Sequence, residues 1–283
     1  MKPKRIFLLA FIAVLAFASN SLLCRLALAQ HSIDAWSFTG IRLASAALVL
    51  GLIFRFRSYR QHGSSKAALS LAVYALFFSL AYVQLNAATG ALLLFGTVQI
   101  SLWFLSVMKG ERLSKRQKWG YSFAVLGLFY LLLPGVESPK ALPAVFMILS
   151  GLGWAFYTYF GKSSQDALQD TYSNFMRLWP VSLLLLAFAF ASGEHAITSQ
   201  GVVWAILSGA LASGLGYAVW YHILPSMPSW QAGLFQLTVP PLASLAAVIF
   251  LGETLSVRWY GASLLVLCGL GLCLKWDLKP RRL

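Results

Sequence analysis

Gly110-Glu111-Arg112-Leu113-Ser114 recurs 142 residues later as Gly252-Glu253-Thr254-Leu255-Ser256. An apolar segment of membrane-spanning length comes before each copy and another follows it, so each copy joins two spans. Glycine can end a helix in the left-handed conformation, and a carboxylate just before the next helix is favoured by that helix's positive end. We therefore expect each copy to be a helix–helix turn, with pairing of Glu111 or Glu253 to a neighbouring arginine as the alternative.

The composition of the 283-residue chain is that of a membrane protein. Hydrophobic residues make up 59% of it and charged residues only 11%, whereas soluble domains have ~25% charged residues. Ten apolar runs are long enough to span a bilayer. These runs are residues 6–29, 35–54, 67–87, 88–108, 117–134, 141–161, 172–192, 200–222, 230–251 and 257–275. We predict an all-α integral membrane protein with ten transmembrane helices.

The repeated turn divides these spans into two equal units, because it joins the fourth span to the fifth in each half. The units are residues 1–135 and 141–276, and a basic cytoplasmic tail follows at 277–283. Since five is odd, the second unit must enter the membrane from the opposite side, which makes the two units an inverted repeat. Such repeats are typical of secondary transporters, which hold the substrate near the midplane and alternate access to it.

The basic residues predict the orientation. With the N-terminus inside, 17 of the 22 Lys and Arg residues lie on the cytoplasmic side, two lie outside and three fall within spans. This positive-inside pattern predicts a bacterial inner-membrane protein with both termini in the cytoplasm. It also explains the net charge of +14 without nucleic acid. The expected partners are a small-molecule substrate and the lipid bilayer, and the sequence is compatible with a monomer or a homodimer.

The ten spans, the Gly-Glu-x-x-Ser turn before the last helix of each half and the tandem five-span units resemble the drug/metabolite transporter superfamily. Within it, the chain is similar to the EamA-domain ten-helix exporters over nearly its whole length. The resemblance implies a central cavity lined by spans one to four and six to nine, with spans five and ten at the periphery. The family commonly has a proline in the fourth span of both halves. Here the ninth span has Pro240-Pro241 but the fourth has Val98-Gln99, so a kink is expected in the ninth.

Polar and aromatic side chains recur at helical spacing on one face of several spans. A mid-span indole or carboxamide should face a cavity or another helix, because lipid offers it no hydrogen-bond partner. The candidate substrate-binding residues are Asn20, Arg42, Tyr82, Gln99, Trp103, Trp154, Tyr157, Tyr217 and Trp220. For each single residue, helix packing or the interfacial aromatic belt is the competing interpretation.

The arginines within spans each allow two interpretations. Arg42 could reach the outer headgroups, or it could contact a substrate carboxylate in the cavity. Arg25 is expected to pair with Asp34 or to reach the headgroups. For Arg177, the nearby Asp170 favours a structural ion pair over substrate binding.

The acidic residues and histidines give little support for other chemistry. All eight Asp and Glu lie in loops, in tails or at helix ends, and the four His are scattered. We therefore expect no catalytic residues, no metal site, no cofactor and no coupling through a carboxylate within the membrane.

The function predicted is export of small metabolites, such as amino acids or related amphipathic solutes, by alternating access through a central cavity. A multidrug or organic-cation carrier is the alternative, because aromatic rings hold cations. Two other classes are a membrane enzyme, for which the His-Glu-x-x-His and Gly-x-Ser-x-Gly motifs are missing, and a non-transporting membrane protein.

Cysteine labelling in intact cells tests the predicted orientation. In a background with the three native cysteines replaced by alanine, Ser64→Cys and Lys279→Cys should be shielded from an impermeant thiol reagent. Ser138→Cys should react, because it faces the outside. All three should react in permeabilised cells, and the reverse pattern in intact cells would refute the topology.

Overall fold

The computed structural model describes residues 3–54, 63–108, 114–133, 138–193, 197–227 and 229–273. Within these ranges the regular structure is helical, apart from an isolated antiparallel bridge between Ile33 and Ile197. The helices are α1 (Pro3–Ala29), α2 (Ala35–Phe54), α3 (Ser65–Tyr82), α4 (Ala87–Met108), α5 (Lys115–Leu132), α6 (Ala141–Gly161), α7 (Ala167–Arg177), α8 (Trp179–Ser192), α9 (Ser199–Leu207), α10 (Gly216–Ile223), α11 (Ser229–Gln236), α12 (Val239–Leu251) and α13 (Val257–Cys273). A π-helical segment, Ser208–Leu215, joins α9 to α10, and a single 3-10 turn, Leu224–Ser226, follows α10. The predicted tail, 277–283, lies outside the described residues.

These helices form ten segments at the positions of the ten predicted spans. The seventh segment consists of α7 and α8, the eighth of α9, the π-helical segment and α10, and the ninth of α11 and α12. In the described part of the chain, seven segments are long and apolar enough to cross a membrane. Large apolar side chains such as Phe190 and Phe250, 78% and 67% exposed, suit contact with acyl chains. The chain is therefore an all-helical, multi-pass membrane protein.

Prolines explain two of the interruptions. Pro180 lies at the start of α8, and Pro240 lies at the start of α12. A proline removes a helical hydrogen bond and disfavours helical backbone in the residue before it. The break before α12 confirms the kink expected in the ninth span, whereas α4 runs unbroken through Val98-Gln99.

The α3–α4 boundary lies earlier than the sequence predicts. α3 ends at Tyr82 rather than near residue 87, and α4 begins at Ala87. The Asn86 side chain accepts a hydrogen bond from the Thr89 backbone N–H at 2.8 Å. Asn86 therefore caps α4, as short polar side chains do at helix starts.

The two predicted five-helix units interleave. The most extensive packing in the described ranges is of α5 on α13 and of α3 on α6, and α4 packs on both α6 and α12. α1 packs on α10 and α12, and α2 packs on the π-helical segment and α8. The main neighbour of α5 is α13, and the main neighbour of α13 is α5. This agrees with the peripheral position that the resemblance implies for both.

Small residues bring α2 very close to the π-helical segment. A Cβ atom on Gly209 would collide with Ser45 Oγ and with the backbone oxygen of Arg42. A Cβ on Gly214 would lie 3.4 Å from the Cα of Ala46. The two backbones are therefore in direct contact near Arg42.

Replacing Gly209 tests this contact. Gly209→Ala should lower the free energy of unfolding by about 1–3 kcal/mol, because the added methyl group has no space. Gly271→Ala on α13 is the matched control, since a Cβ there meets nothing within 4 Å and alanine is the better helix former. Thermal unfolding of the purified variants measures the difference, and equal melting temperatures would contradict the close approach.

Candidate functional site

A buried polar cluster lies where the two predicted units meet. Arg42 on α2 is 1% exposed. Its Nε donates to Ser213 Oγ at 3.0 Å, and its Nη2 donates to the hydroxyls of Tyr74 and Tyr217 at 3.0 and 2.9 Å. Asn20 Nδ2 also donates to the Tyr74 hydroxyl, at 3.0 Å. We call Asn20, Arg42, Tyr74, Ser213 and Tyr217 the central cluster.

The π-helical segment and α10 supply the second unit's share of the central cluster. Ser208 Oγ donates to Asn20 Oδ1 at 2.5 Å, and Ser213 lies five residues further on the same widened helix. Tyr217 follows one turn later, and its hydroxyl donates to the Tyr74 hydroxyl at 2.8 Å. π-Helical turns occur frequently at functional sites, and here the turn directs both serines toward α1 and α2.

Aromatic rings surround the central cluster. The Phe17 ring centroid lies 5.1 Å from that of Trp154, 5.5 Å from Trp220 and 5.9 Å from Tyr217. Trp154 lies 4.6 Å from Tyr217, and its Nε1 donates to Gln236 Oε1 at 2.5 Å. The rings therefore form an apolar wall that joins α1, α6 and α10, and the indole hydrogen bond ties α6 to α11.

An ion pair links helices of both units at one end of the bundle. Arg25 Nε lies 3.0 Å from Glu253 Oε1, with the side chains 18% and 12% exposed. Arg25 Nη1 donates to the Tyr82 backbone oxygen at 3.1 Å, and Glu253 Oε2 accepts from the Ala87 backbone N–H at 2.8 Å. The pair thus connects α1, the end of α3 and the start of α4 to the turn between α12 and α13.

The expected pairing of Arg25 with Asp34 is wrong. Asp34 Oδ1 accepts from the backbone N–H groups of Trp36 and Ser37 at 3.0 and 2.8 Å. Asp34 therefore caps α2, where the carboxylate also meets the positive end of the helix.

The second copy of the repeated turn combines two functions. Gly252 has φ of +63° and ends α12 in the left-handed conformation, as expected. Ser256 Oγ, rather than Glu253, caps α13 by accepting from the Trp259 backbone N–H at 3.0 Å. Glu253 is thereby free to bind Arg25, which was the alternative interpretation. Glu111 of the first copy lies outside the described residues.

A cavity of about 330 Å³ opens at the opposite end of the bundle. Its lining includes Ser64, Ala67, Phe160, Ser163, Asp170, Asn174 and Tyr221. Two tyrosine rings connect it to the central cluster. The Tyr221 ring lies 4.6 Å from that of Tyr157, which lies 6.1 Å from Tyr217. Within the described ranges, no three His, Cys, Asp or Glu side chains are placed to hold a metal ion.

Six of the nine residues predicted from the sequence come together. Asn20, Arg42 and Tyr217 belong to the central cluster, and Trp154, Tyr157 and Trp220 belong to the rings around it. All six side chains are buried. For five of them, the helical spacing that singled them out identified faces that point toward a shared centre, and Arg42 was singled out by its charge within a span.

The other three predicted residues lie elsewhere. Tyr82 is buried at the end of α3, where its backbone oxygen accepts a hydrogen bond from Arg25. Gln99 packs against α11, where a Cβ on Gly233 would collide with it. Trp103 is only half-buried and stacks on Tyr121 of α5 at 4.9 Å.

Sequence reasoning left Tyr74, Ser213 and Gln236 off the list of candidates. Tyr74 lies in the middle of α3, whereas the chosen Tyr82 ends that helix. Its position in the middle of the span could have identified Tyr74, since a polar group at mid-span has the greatest need of a partner. Gln236 ends α11 just before the break, and a carboxamide within a span offered a similar signal.

The comparison with known proteins agrees with this architecture. The EamA-like transporter family matches residues 141–274. An uncharacterized protein of Pseudomonas aeruginosa is 47% identical over 278 residues, which cover 97% of this chain and 96% of that protein. A Salmonella typhimurium protein named a probable amino-acid metabolite efflux pump is 25% identical over 173 residues, covering 56% of this chain and 58% of that protein. The chain belongs to the EamA-like transporter family.

The fold of this EamA-family transporter also occurs in a solved structure. A crystal structure of a protein 14% identical in sequence superposes with a TM-score of 0.68, over 95% of this chain and 96% of that chain. The family and its relatives place the chain in the drug/metabolite transporter superfamily.

A double-mutant cycle tests the ion pair in this EamA-family transporter. Glu253→Gln keeps an oxygen for the Ala87 N–H but removes the charge, and it should lower the unfolding free energy by roughly 1–3 kcal/mol. Arg25→Gln should do the same, and the double variant should lose clearly less than the sum.

Ser256→Ala supplies the control for this cycle. It removes the α13 cap without touching Arg25, so its effect should simply add to that of Arg25→Gln. Thermal melts of the purified variants measure both combinations. Additive losses for Arg25→Gln and Glu253→Gln would show that the two residues do not interact.

Proposed function

We propose that the protein is a secondary transporter that exports small metabolites, amino acids or related amphipathic solutes, across the bacterial inner membrane by alternating access. The central cluster carries this proposal, because it brings a charge and several hydroxyl groups from both units into a buried site. Polar groups within a membrane protein mark substrate pathways, and transporters bind their solutes at the interface between repeats.

The helix pairs support an inverted repeat. An inverted repeat makes the first segment equivalent to the sixth, the second to the seventh, and so on. Under this equivalence, the contact between α3 and α6 corresponds to a contact between the eighth segment and α1. The packing of α4 on α6 becomes that of the ninth segment on α1, while α5 on α13 and α4 on α12 map onto themselves. Each of these pairs is present among the described helices. A chain with this symmetry has two related arrangements, one open to each side.

The ion pair and the cavity support an arrangement that is closed on the outside. Arg25 and Glu253 join the two units at the end predicted to face outward, while the cavity lies at the end predicted to face the cytoplasm. We assign the ion pair as the outer gate, which must break for the solute to leave. A single ion pair suits this role, because few contacts must break for this end of the bundle to open.

The composition of the site supports amphipathic solutes. The rings of Phe17, Trp154 and Trp220 can hold an apolar side chain, and the central cluster can hold polar groups, which is the usual character of small-molecule sites. The relative named a probable amino-acid metabolite efflux pump supports the same class of solute. An organic-cation carrier is the second candidate, because the rings could also hold a cation.

Flux measurements with two tryptophan variants test the proposal. Proteoliposomes loaded with each common L-amino acid in labelled form should release at least one of them faster than empty-vesicle controls. Trp154→Ala should slow that release by about tenfold or more, because it removes ring contacts and the Gln236 hydrogen bond at the site.

Trp103→Ala is the matched control for this assay. The same truncation between α4 and α5 should leave release within about twofold of the unmodified protein, once the folded fraction is equalised by size-exclusion chromatography. Equal slowing by both variants would remove Trp154 from the site. The absence of release for every amino acid would contradict the proposed substrate class.

A further inference from the structure

Arg42 is a buried cation without a counter-ion. Its three hydrogen-bond partners, the side chains of Ser213, Tyr74 and Tyr217, are neutral hydroxyl groups. No carboxylate in the described part of the chain forms an ion pair with it. Glu253, which lies in the turn after α12, pairs with Arg25 instead.

One nitrogen of Arg42 also lacks a partner. Nη1 is buried and makes no hydrogen bond, whereas Nη2 donates to two hydroxyls. The guanidinium carbon lies 4.9 Å from the Phe78 ring centroid and 5.2 Å from that of Tyr74. Aromatic faces stabilise the cation but do not satisfy the in-plane N–H groups. Within the described ranges, the N–H groups of Nη1 are therefore the ones left without an acceptor.

The arrangement around Arg42 would be unfavourable if Arg42 served only to hold the helices together. Burying a charge without an opposite charge is unfavourable in a protein interior and more so within a bilayer. A glutamine could tie α2 to Tyr74 and Tyr217 without that desolvation penalty. A carboxylate supplied from outside the chain would complete the site, because it brings the missing charge and can accept from the N–H groups of Nη1, which have no acceptor among the described residues.

We propose that Arg42 binds the carboxylate of the exported solute, so that the central cluster is a subsite for a single negative charge. The neutral hydroxyls of Tyr74, Tyr217 and Ser213 can rotate to donate to the same carboxylate. The rings of Phe17, Trp154 and Trp220 then hold the rest of the solute. This inference rests on the proposed function and narrows it to carboxylate-bearing solutes, zwitterionic amino acids included.

The single positive charge in the central cluster favours carboxylate-bearing solutes over phosphates and organic cations. The central cluster holds one cation, which matches a carboxylate better than a doubly charged phosphate. The same charge repels an organic cation that enters the site, so the inference favours amino-acid-like solutes over the organic-cation alternative.

Ligand-induced stabilisation of the purified, detergent-solubilised protein tests the inference, because a ligand that binds only the folded state raises the melting temperature. The probes are threonine, leucine and phenylalanine, each with its amide, which lacks the carboxylate, and its deaminated acid, which lacks the amine. Tetraphenylphosphonium serves as the organic cation. The variants are Arg42→Gln, Arg42→Lys and, as a control, Arg116→Gln at an exposed position on α5.

The expected result is that an amino acid and its deaminated acid stabilise the unmodified protein and the amide does not. Arg42→Gln should weaken binding of both acids by about tenfold or more. Arg42→Lys should retain part of it, and Arg116→Gln should match the unmodified protein. Arg42→Gln must elute as a monodisperse species, and Arg42→Lys provides a charged variant if it does not.

Three results would overturn the inference. The first is that an amide stabilises the unmodified protein as much as the corresponding amino acid does. The second is that stabilisation by the acids survives in Arg42→Gln. The third is stabilisation by tetraphenylphosphonium and by none of the acids. Because release from proteoliposomes is measured separately, amino-acid flux with any of these results would leave the proposed function intact and remove only the role of Arg42.

Discussion

A bilayer offers no water to a polar group, so each polar side chain in a span must find its partner inside the protein. The central cluster is the main consequence of this constraint. Arg42, Asn20 and the two tyrosines share hydrogen bonds among α1, α2, α3 and α10, and small residues of the π-helical segment let α2 approach closely enough for Ser213 to join them. The same constraint makes Nη1 of Arg42, which has no partner in the part of the chain that the structure describes, an argument for a ligand at this site, because an unsatisfied donor is far more unfavourable here than at a wet surface.

The two ends of the bundle differ in what joins the units. At the end predicted to be outside, Arg25 and Glu253 tie three helices of the first unit to the α12–α13 turn. At the other end lies a cavity lined in part by Tyr221, and the rings of Tyr221 and Tyr157 pack between it and Tyr217. In the second copy of the repeated turn, the glycine ends one helix, the serine caps the next, and the carboxylate binds an arginine of the first unit. The proposed alternating access needs a state of this kind, with the two units joined at one end and a cavity at the other.

The sequence predicted the helices well and the site in part. Hydropathy located ten segments, and Pro240 correctly predicted the break in the ninth. Helical spacing found Asn20, Trp154 and Tyr217, because a polar face on an apolar helix must turn inward, and Arg42 stood out as a charged residue within a span. It could not distinguish faces that turn toward the centre from faces that turn toward a neighbour, and Trp103, which stacks on α5, is an example of the second kind. Arg25 was assigned to Asp34 because the two are close in sequence, although helix capping already engages that carboxylate.

Apolar runs, turn residues and the distribution of charge are local properties, and for this reason the sequence by itself determined the membrane class, the ten segments and the expected orientation. The partners of the functional side chains were decided by the tertiary structure alone. Arg25 binds a residue 228 positions away, and Arg42 binds one 171 positions away. Such pairs depend on which helices of the two units pack together and on how closely glycine lets them approach, and no periodicity within a single span carries that information.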